Sequence, residues 1–350
     1  MSLKSGTSTY LDLLRISAAM MVFVSHLSWN LLSGGFLWPF QYIGHRGVII
    51  FFVLSGFVIS HAAATKEKTY FDFQVARFAR LYSVVIPALL LTFLFDRIGL
   101  MQDASKYVLE RESEPLLRLF ASGLFLSQSW GWDLYTFGND PFWSLPFEFW
   151  YYQMFAAAIF FTGGKRIVLL TLCAALSGPP ILLFLPLWLL GVAAYRISQS
   201  HPLPVKQAKL IFIVSGICAL LVIFGDRSVP PRYTALVPPN FSPMDFVTGT
   251  IVAVNLISAS ALNFRFGMLA RPIAEAAGIS FALYLLHLPL FRMLSALIPG
   301  DWSVLVRGLT LSIVTLLVVY LLSFVTERRK REWRRIFTWL FSRLKPVESA

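Results

Sequence analysis

Charge is scarce in this sequence: of its 350 residues, only 14% are Asp, Glu, Lys or Arg. Soluble domains usually carry about a quarter, so the chain lacks the polar surface a water-facing globule needs. Cysteine is scarcer still. Cys173 and Cys218 both lie in apolar runs, which excludes a disulfide framework or a thiolate metal cluster and leaves them as small hydrophobes. No P-loop, no dinucleotide-binding glycine fingerprint and no His/Cys metal spacing occurs. No internal repeat or low-complexity tract is visible, so an inverted-repeat transporter gains no support.

What the chain has instead is apolar length. Hydrophobic residues make up 57%, and the mean hydropathy is +0.68. Residues 47–64 and 308–326 contain no charged side chain, and runs of this length cross a hydrocarbon core of about 30 Å as helix. The pattern predicts an all-α polytopic bundle with spans at 11–31, 47–64, 80–100, 147–162, 166–178, 182–196, 208–225, 244–262, 278–298 and 303–326. The N-terminal run contains Asp12, Arg15 and His26 and reads as a first mature span rather than a cleavable signal.

The net charge of +12 does not point to nucleic acid, because no basic face is interleaved with aromatics. Eight Lys and Arg against three Glu lie in the tail from Glu327 to Ala350, the placement the positive-inside rule gives a cytosolic segment. Lys66, Lys68, Arg77, Lys165, Arg166, Arg196, Lys206, Arg265 and Arg271 mark further inside loops. These agree on ten crossings with both termini cytosolic, provided that 119–132 is re-entrant or interfacial. The 101–146 region then lies outside, where it is net acidic. Two regions follow: a transmembrane unit over 1–326 and a basic cytosolic tail over 327–350.

Ionisable side chains inside a membrane are costly and mark function by default. Arg15 and His26, 11 residues apart on the first span, share one helix face about 16 Å apart. The bland alternative has Arg15 snorkelling to headgroups and His26 donating to a backbone carbonyl. Five strings then carry a resemblance: LDLLRISAAMMVFVSH at 11–26, GHRGVIIFFVLSGFVIS at 44–60, RFARLY at 77–82, FWSLPFEFWYY at 142–152 and ISFALYLLHLP at 279–289. Together, and in this order, they resemble the acyltransferase-3 family of bacterial integral membrane enzymes.

The resemblance implies a bundle of about ten helices in the bacterial inner membrane. It also implies transfer of acetyl or another short acyl group from acyl-CoA to a carbohydrate or glycolipid hydroxyl. It further implies acetyl-CoA as a co-substrate and no permanently bound cofactor. Many members carry a further soluble hydrolase-like domain, and none is visible before Ala350, so a stand-alone form is expected. By the resemblance His26 is catalytic, Arg15 is the matched arginine of the same helix, and Arg77 and Arg80 are the Arg-x-x-Arg element that holds the donor, with Arg15 a further donor-binding candidate. The i, i+3 spacing of those arginines suits phosphate bound from one helix face. His26 acts as a base or forms an acyl-histidine, two routes that stay open here.

Glu148 is the next candidate, expected close in depth to His26, to orient the imidazole or bind a sugar hydroxyl. Trp143, Trp150, Tyr151 and Tyr152 are candidates to stack on sugar rings, or form an aromatic belt. Ser55 and Gly56 lack the G-x-S-x-G elbow and read as small residues for helix contact. His287 is either structural or faces the tunnel. His45, His61 and His201 lie at span ends or in loops. Asp12 pairs with Arg15. None of the five histidines has Asp five positions later, so the His-x4-Asp arrangement of glycerolipid acyltransferases is missing. The rival class is a transporter or flippase for a lipid-linked sugar or acidic solute, using the same buried Arg and His. The oligomeric state is not legible.

Overall fold

A computed structural model describes residues 4–108, 113–132, 134–226 and 241–343. It is 82% helical, with no strand among the described residues. The helices are α1 (Ser5–Leu27), α2 (Asn30–Ser33), α3 (Ile43–Thr65), α4 (Tyr70–Gln102), α5 (Pro115–Gly123), α6 (Ser144–Phe160), α7 (Gly163–Ser177), α8 (Pro179–Ser200), α9 (Val205–Gly225), α10 (Met244–Ala261), α11 (Ala270–Ala277), α12 (Ser280–Leu297), α13 (Val304–Leu322) and α14 (Lys330–Arg343). The fold is the expected all-α polytopic bundle. Among the described residues, eight helices are long and apolar enough to cross a membrane. Helices α6 and α7 correspond to the expected spans 147–162 and 166–178 but, at 17 and 15 residues, are shorter than those eight. Most of the proline-rich 226–243 loop lies outside the described residues.

The bundle is inside-out relative to a soluble protein at its rim. Ile167, Val168 and Leu172 on α7, Ile213, Ile217 and Leu221 on α9, and Ile313, Leu317 and Leu321 on α13 are all exposed. Whole apolar helix faces of this kind are stable only against lipid. The core is formed by α1, α3, α4, α6, α8 and α12. Helix α3 packs on both α1 and α8, and α12 packs on α4. The α3–α8 crossing is very close. A Cβ on Gly56 would lie 2.1 Å from the Trp188 carbonyl oxygen, and one on Gly191 1.9 Å from that of Val53. Small residues let backbones meet in lipid, where apolar bulk gains nothing. Gly56→Val is expected to destabilise the bundle by about 1–3 kcal/mol through overpacking, read as a lowered Tm in detergent.

One expectation needs correction. The third span is not 80–100: α4 runs for 33 residues, about 50 Å, well beyond the hydrocarbon thickness. Thr69 sets its start by accepting a hydrogen bond from the Asp72 backbone N–H at 3.1 Å, as an N-cap does. Arg77 and Arg80 therefore lie two to three turns inside a helix, not where a loop enters it. The 119–132 segment, expected to be re-entrant or interfacial and not to cross, holds the second half of α5 followed by turns and a single 3-10 turn at Ser129–Gly131. Nine helical residues reach about 14 Å, too short to cross. Trp130 at its end donates from Nε1 to the Ala175 carbonyl at 2.7 Å, tying the segment to α7.

Candidate active site

Two cavities lie along α1, one above the other. The outer one, of about 310 Å³, is lined by His26, Trp29, His45, Arg46, Asp140, Trp143, Asp226 and Tyr284, among others. The inner one, of about 50 Å³, is lined by Arg15, Ser55, Arg80, Glu148, Phe281 and Tyr284, among others. Val48 and Tyr284 line both, so they form the wall between them. Tyr284 is held in that wall by a 2.8 Å hydrogen bond between its hydroxyl and Ser144 Oγ.

His26 does not stand alone. Its Nδ1 is 2.7 Å from Nε2 of His287, with the two rings stacked at 5.0 Å. His287 is fully buried on α12, and its Nδ1 is 2.8 Å from the Leu283 carbonyl oxygen. A carbonyl only accepts, so His287 Nδ1 carries a proton. The contact between the rings requires one acceptor nitrogen, and the neutral His287 ring offers Nε2. His26 therefore donates from Nδ1, and its Nε2 keeps a free lone pair. That nitrogen makes no hydrogen bond among the described residues, and the ring lines the outer cavity. Trp29 packs edge-on against the same ring at 4.7 Å. A chain of two histidines anchored on a backbone carbonyl thus fixes the tautomer of His26.

The rest of the outer cavity is built from charges that the sequence did not single out. Arg46 on α3 is ion-paired to both Asp226 and Asp245. His45 Nε2 is 3.0 Å from Asp245 Oδ2, and Asp245 is completely buried. Arg292 pairs with Asp140 at 3.1 Å. The signal was available, since an arginine opening an apolar run needs carboxylates from elsewhere in the fold. Its partners are 180 and 199 residues away, so spacing alone could not find them. Asp245→Ala is expected to cost about 3–5 kcal/mol by leaving Arg46 partly uncompensated, measured as a loss of Tm in the purified protein.

In the inner cavity, Arg15 is 3.3 Å from Asp12, the expected pair. Arg77 is turned away: buried, it is ion-paired to Glu67 and lies over the rings of Phe73 and Tyr152. Arg80 lines the cavity. Its guanidinium makes no ion pair or hydrogen bond among the described residues, and phosphate suits such a group. Glu327, at the start of the segment leading to α14, accepts from the Ala282 backbone N–H at 3.4 Å.

Glu148 lies here and not beside His26. It is five residues, about 7.5 Å, further along α6 than Trp143, which lines the outer cavity. Its carboxylate accepts from Ser55 Oγ at 2.8 Å and from the Tyr152 hydroxyl. The partner that orients the imidazole is His287. Ser55, read as a helix-packing residue, also receives the Trp188 indole N–H at 3.3 Å. Of the aromatic candidates, Trp143 lines the outer cavity and stacks on His45 at 6.3 Å. Tyr151 is sealed in the core, donating to the Ile181 carbonyl at 2.8 Å. Trp150 donates to the Phe125 carbonyl at 3.1 Å, and Tyr152 is spent on Glu148. Burial removes these three from any sugar-stacking surface. Among the described residues no group of three His, Cys, Asp or Glu is arranged to hold a metal.

The polytopic helical bundle thus holds a hydrogen-bonded histidine pair in one cavity and the guanidinium groups of Arg15 and Arg80 in the next. Residues 8–324 match the acyltransferase-3 family, described as an acyltransferase domain, and the chain belongs to that family. It is similar to an O-acetyl transferase of Shigella phage Sf6, 34% identical over 200 residues that cover 52% of this chain and 58% of that protein. It is also similar to the acyltransferase MdmB of Streptomyces mycarofaciens, 25% identical over 344 residues covering 87% of this chain and 86% of that one. The chain thus spans little more than half the length of the first of these relatives. No solved structure matches it.

Proposed function

We propose that this chain is a membrane O-acyltransferase that moves an acetyl or other short acyl group from acyl-CoA to a carbohydrate hydroxyl. The observation that carries this reading is the His26–His287 pair, with a base nitrogen presented to the outer cavity directly above the Arg15 and Arg80 cavity. Membership of the acyltransferase family and similarity to an O-acetyl transferase support the reaction type. The cationic end of the bundle faces the cytosol with both termini, in a bacterial inner membrane. Donor phosphates bind there at Arg80 and Arg15, with Arg77 supporting the site through its own ion pair. The pantetheine arm passes the wall at Val48 and Tyr284 and brings the thioester to His26.

The acceptor hydroxyl gives its proton to His26 Nε2 as its oxygen attacks the thioester carbonyl. A carbon–oxygen bond forms and the carbon–sulfur bond breaks. The imidazolium then returns the proton to the leaving thiolate, so His26 ends the cycle as it began. While charged, the His26 ring keeps donating from Nδ1 to His287, which steadies the positive charge in a water-poor site. The outer cavity suits a hydroxyl-rich acceptor: Asp140 and Asp226 supply carboxylate oxygens, and Trp29 and Trp143 supply ring faces. Mass spectrometry of surface glycans from cells with and without the gene tests the reading. Gene-dependent acyl esters are expected. Identical glycans, together with no acyl transfer by the purified protein and uptake of a solute, would favour a transporter instead.

A further inference from the structure

The last helix, α14, is not a loose basic tail. At about 100° per residue, its side chains sort onto three strips. Trp333, Phe337 and Phe341 form one strip, which packs on Phe78 and Tyr82 of α4. Those two residues flank Arg80 on α4. On one side of this strip lie Arg331, Arg334 and Arg335, around an open concavity of about 540 Å³ that Thr338 and Trp339 complete. On the other side Ile336, Trp339 and Leu340 are exposed, at 52%, 56% and 43%. The helix carries five cationic side chains against one carboxylate, Glu332, and that carboxylate is taken by Arg329 at 2.5 Å. Arg331, Arg334 and Arg335 have no acidic partner among the described residues.

We propose that α14 is a binding site for anionic phospholipid. Its arginine strip takes headgroup phosphates of the leaflet that α13 leaves, while Ile336, Trp339 and Leu340 sink to the boundary between headgroups and acyl chains. Charge complementarity selects the occupant: a basic strip beside an exposed apolar strip, tethered to a membrane-length helix, fits an acidic lipid surface. A zwitterionic surface would satisfy the apolar strip but leave the three guanidinium groups without counter-charge. The lipid so held presses the aromatic strip onto α4 and fixes the helix that carries Arg77 and Arg80.

The full-length protein, in nanodiscs of mixed phosphatidylcholine and phosphatidylglycerol, is compared with Trp339→Phe to isolate one of its ten tryptophans. Bromine is placed either on the phosphatidylglycerol or, at equal mole fraction, on the phosphatidylcholine. Stronger quenching of Trp339 by brominated phosphatidylglycerol is expected. Arg331→Gln, Arg334→Gln and Arg335→Gln together should abolish that preference, on the order of fivefold for each arginine. Equal quenching by both lipids, or a preference that survives the triple change, overturns the proposal. So does its removal by inorganic phosphate, which would make the concavity a site for soluble anions. All three changed residues are on an exposed strip, so the fold is kept. Quenching needs no turnover, and its outcome is separate from that of the acyl-transfer reading.

Discussion

His26→Ala is expected to lower kcat for acyl transfer by about 10²–10⁴, the usual worth of a positioned general base. The change removes the nitrogen facing the outer cavity and leaves His287 with its backbone anchor intact, so the bundle should still fold. Changes at His287 separate positioning from mere packing. His287→Gln offers an amide oxygen that accepts from His26 Nδ1, whereas His287→Leu offers none. The glutamine protein should keep clearly more turnover than the leucine protein, at unchanged acetyl-CoA affinity. Equal turnover in the two would mean that His287 only fills space. Transfer assays on size-exclusion-pure protein read both comparisons.

The second large effect divides the two arginines of RFARLY. Arg80→Ala should raise the KM for acetyl-CoA by about 10–100-fold, since a hydrogen bond to a charged group is worth about 1.5–3 kcal/mol. Stability should change little, because no partner within the described protein is stranded. Arg77→Ala should do the reverse at first order. It leaves Glu67 buried without its counter-ion, at a cost of about 3–5 kcal/mol. The expected result is a marked loss of Tm, with poor yields of folded protein. Thermal denaturation beside steady-state kinetics checks both. Similar KM effects from the two alanines, with no difference in Tm, would contradict the division.

How much of this was legible in the sequence depends on distance along the chain. The all-α bundle followed from long uncharged runs, and the Arg15–Asp12 pair from a one-turn spacing. The pairing of His26 with His287 joins residues 261 apart, which no local period encodes. The ambiguity over His287, structural or functional, dissolves because it is both buried and hydrogen-bonded to the candidate base. Glu148 was misplaced in depth because its helix begins at Ser144, directly after Trp143, and carries the carboxylate more than one turn further, to the inner cavity. Tyr151 and Tyr152 looked like a sugar platform because sequence shows aromaticity and not burial. The Arg46, Asp226 and Asp245 network was missed for the same reason as the histidine pair.

In the proposed mechanism labour is divided: the donor is held in the inner cavity and the chemistry is done at the histidine pair above it. The most direct test is acetyl-CoA binding by calorimetry, measured beside transfer, on wild type, His26→Ala and Arg80→Ala. His26→Ala should bind acetyl-CoA like wild type yet fail to turn over, while Arg80→Ala should bind it weakly. Transfer retained by His26→Ala, or wild-type binding by Arg80→Ala, would contradict that division of labour.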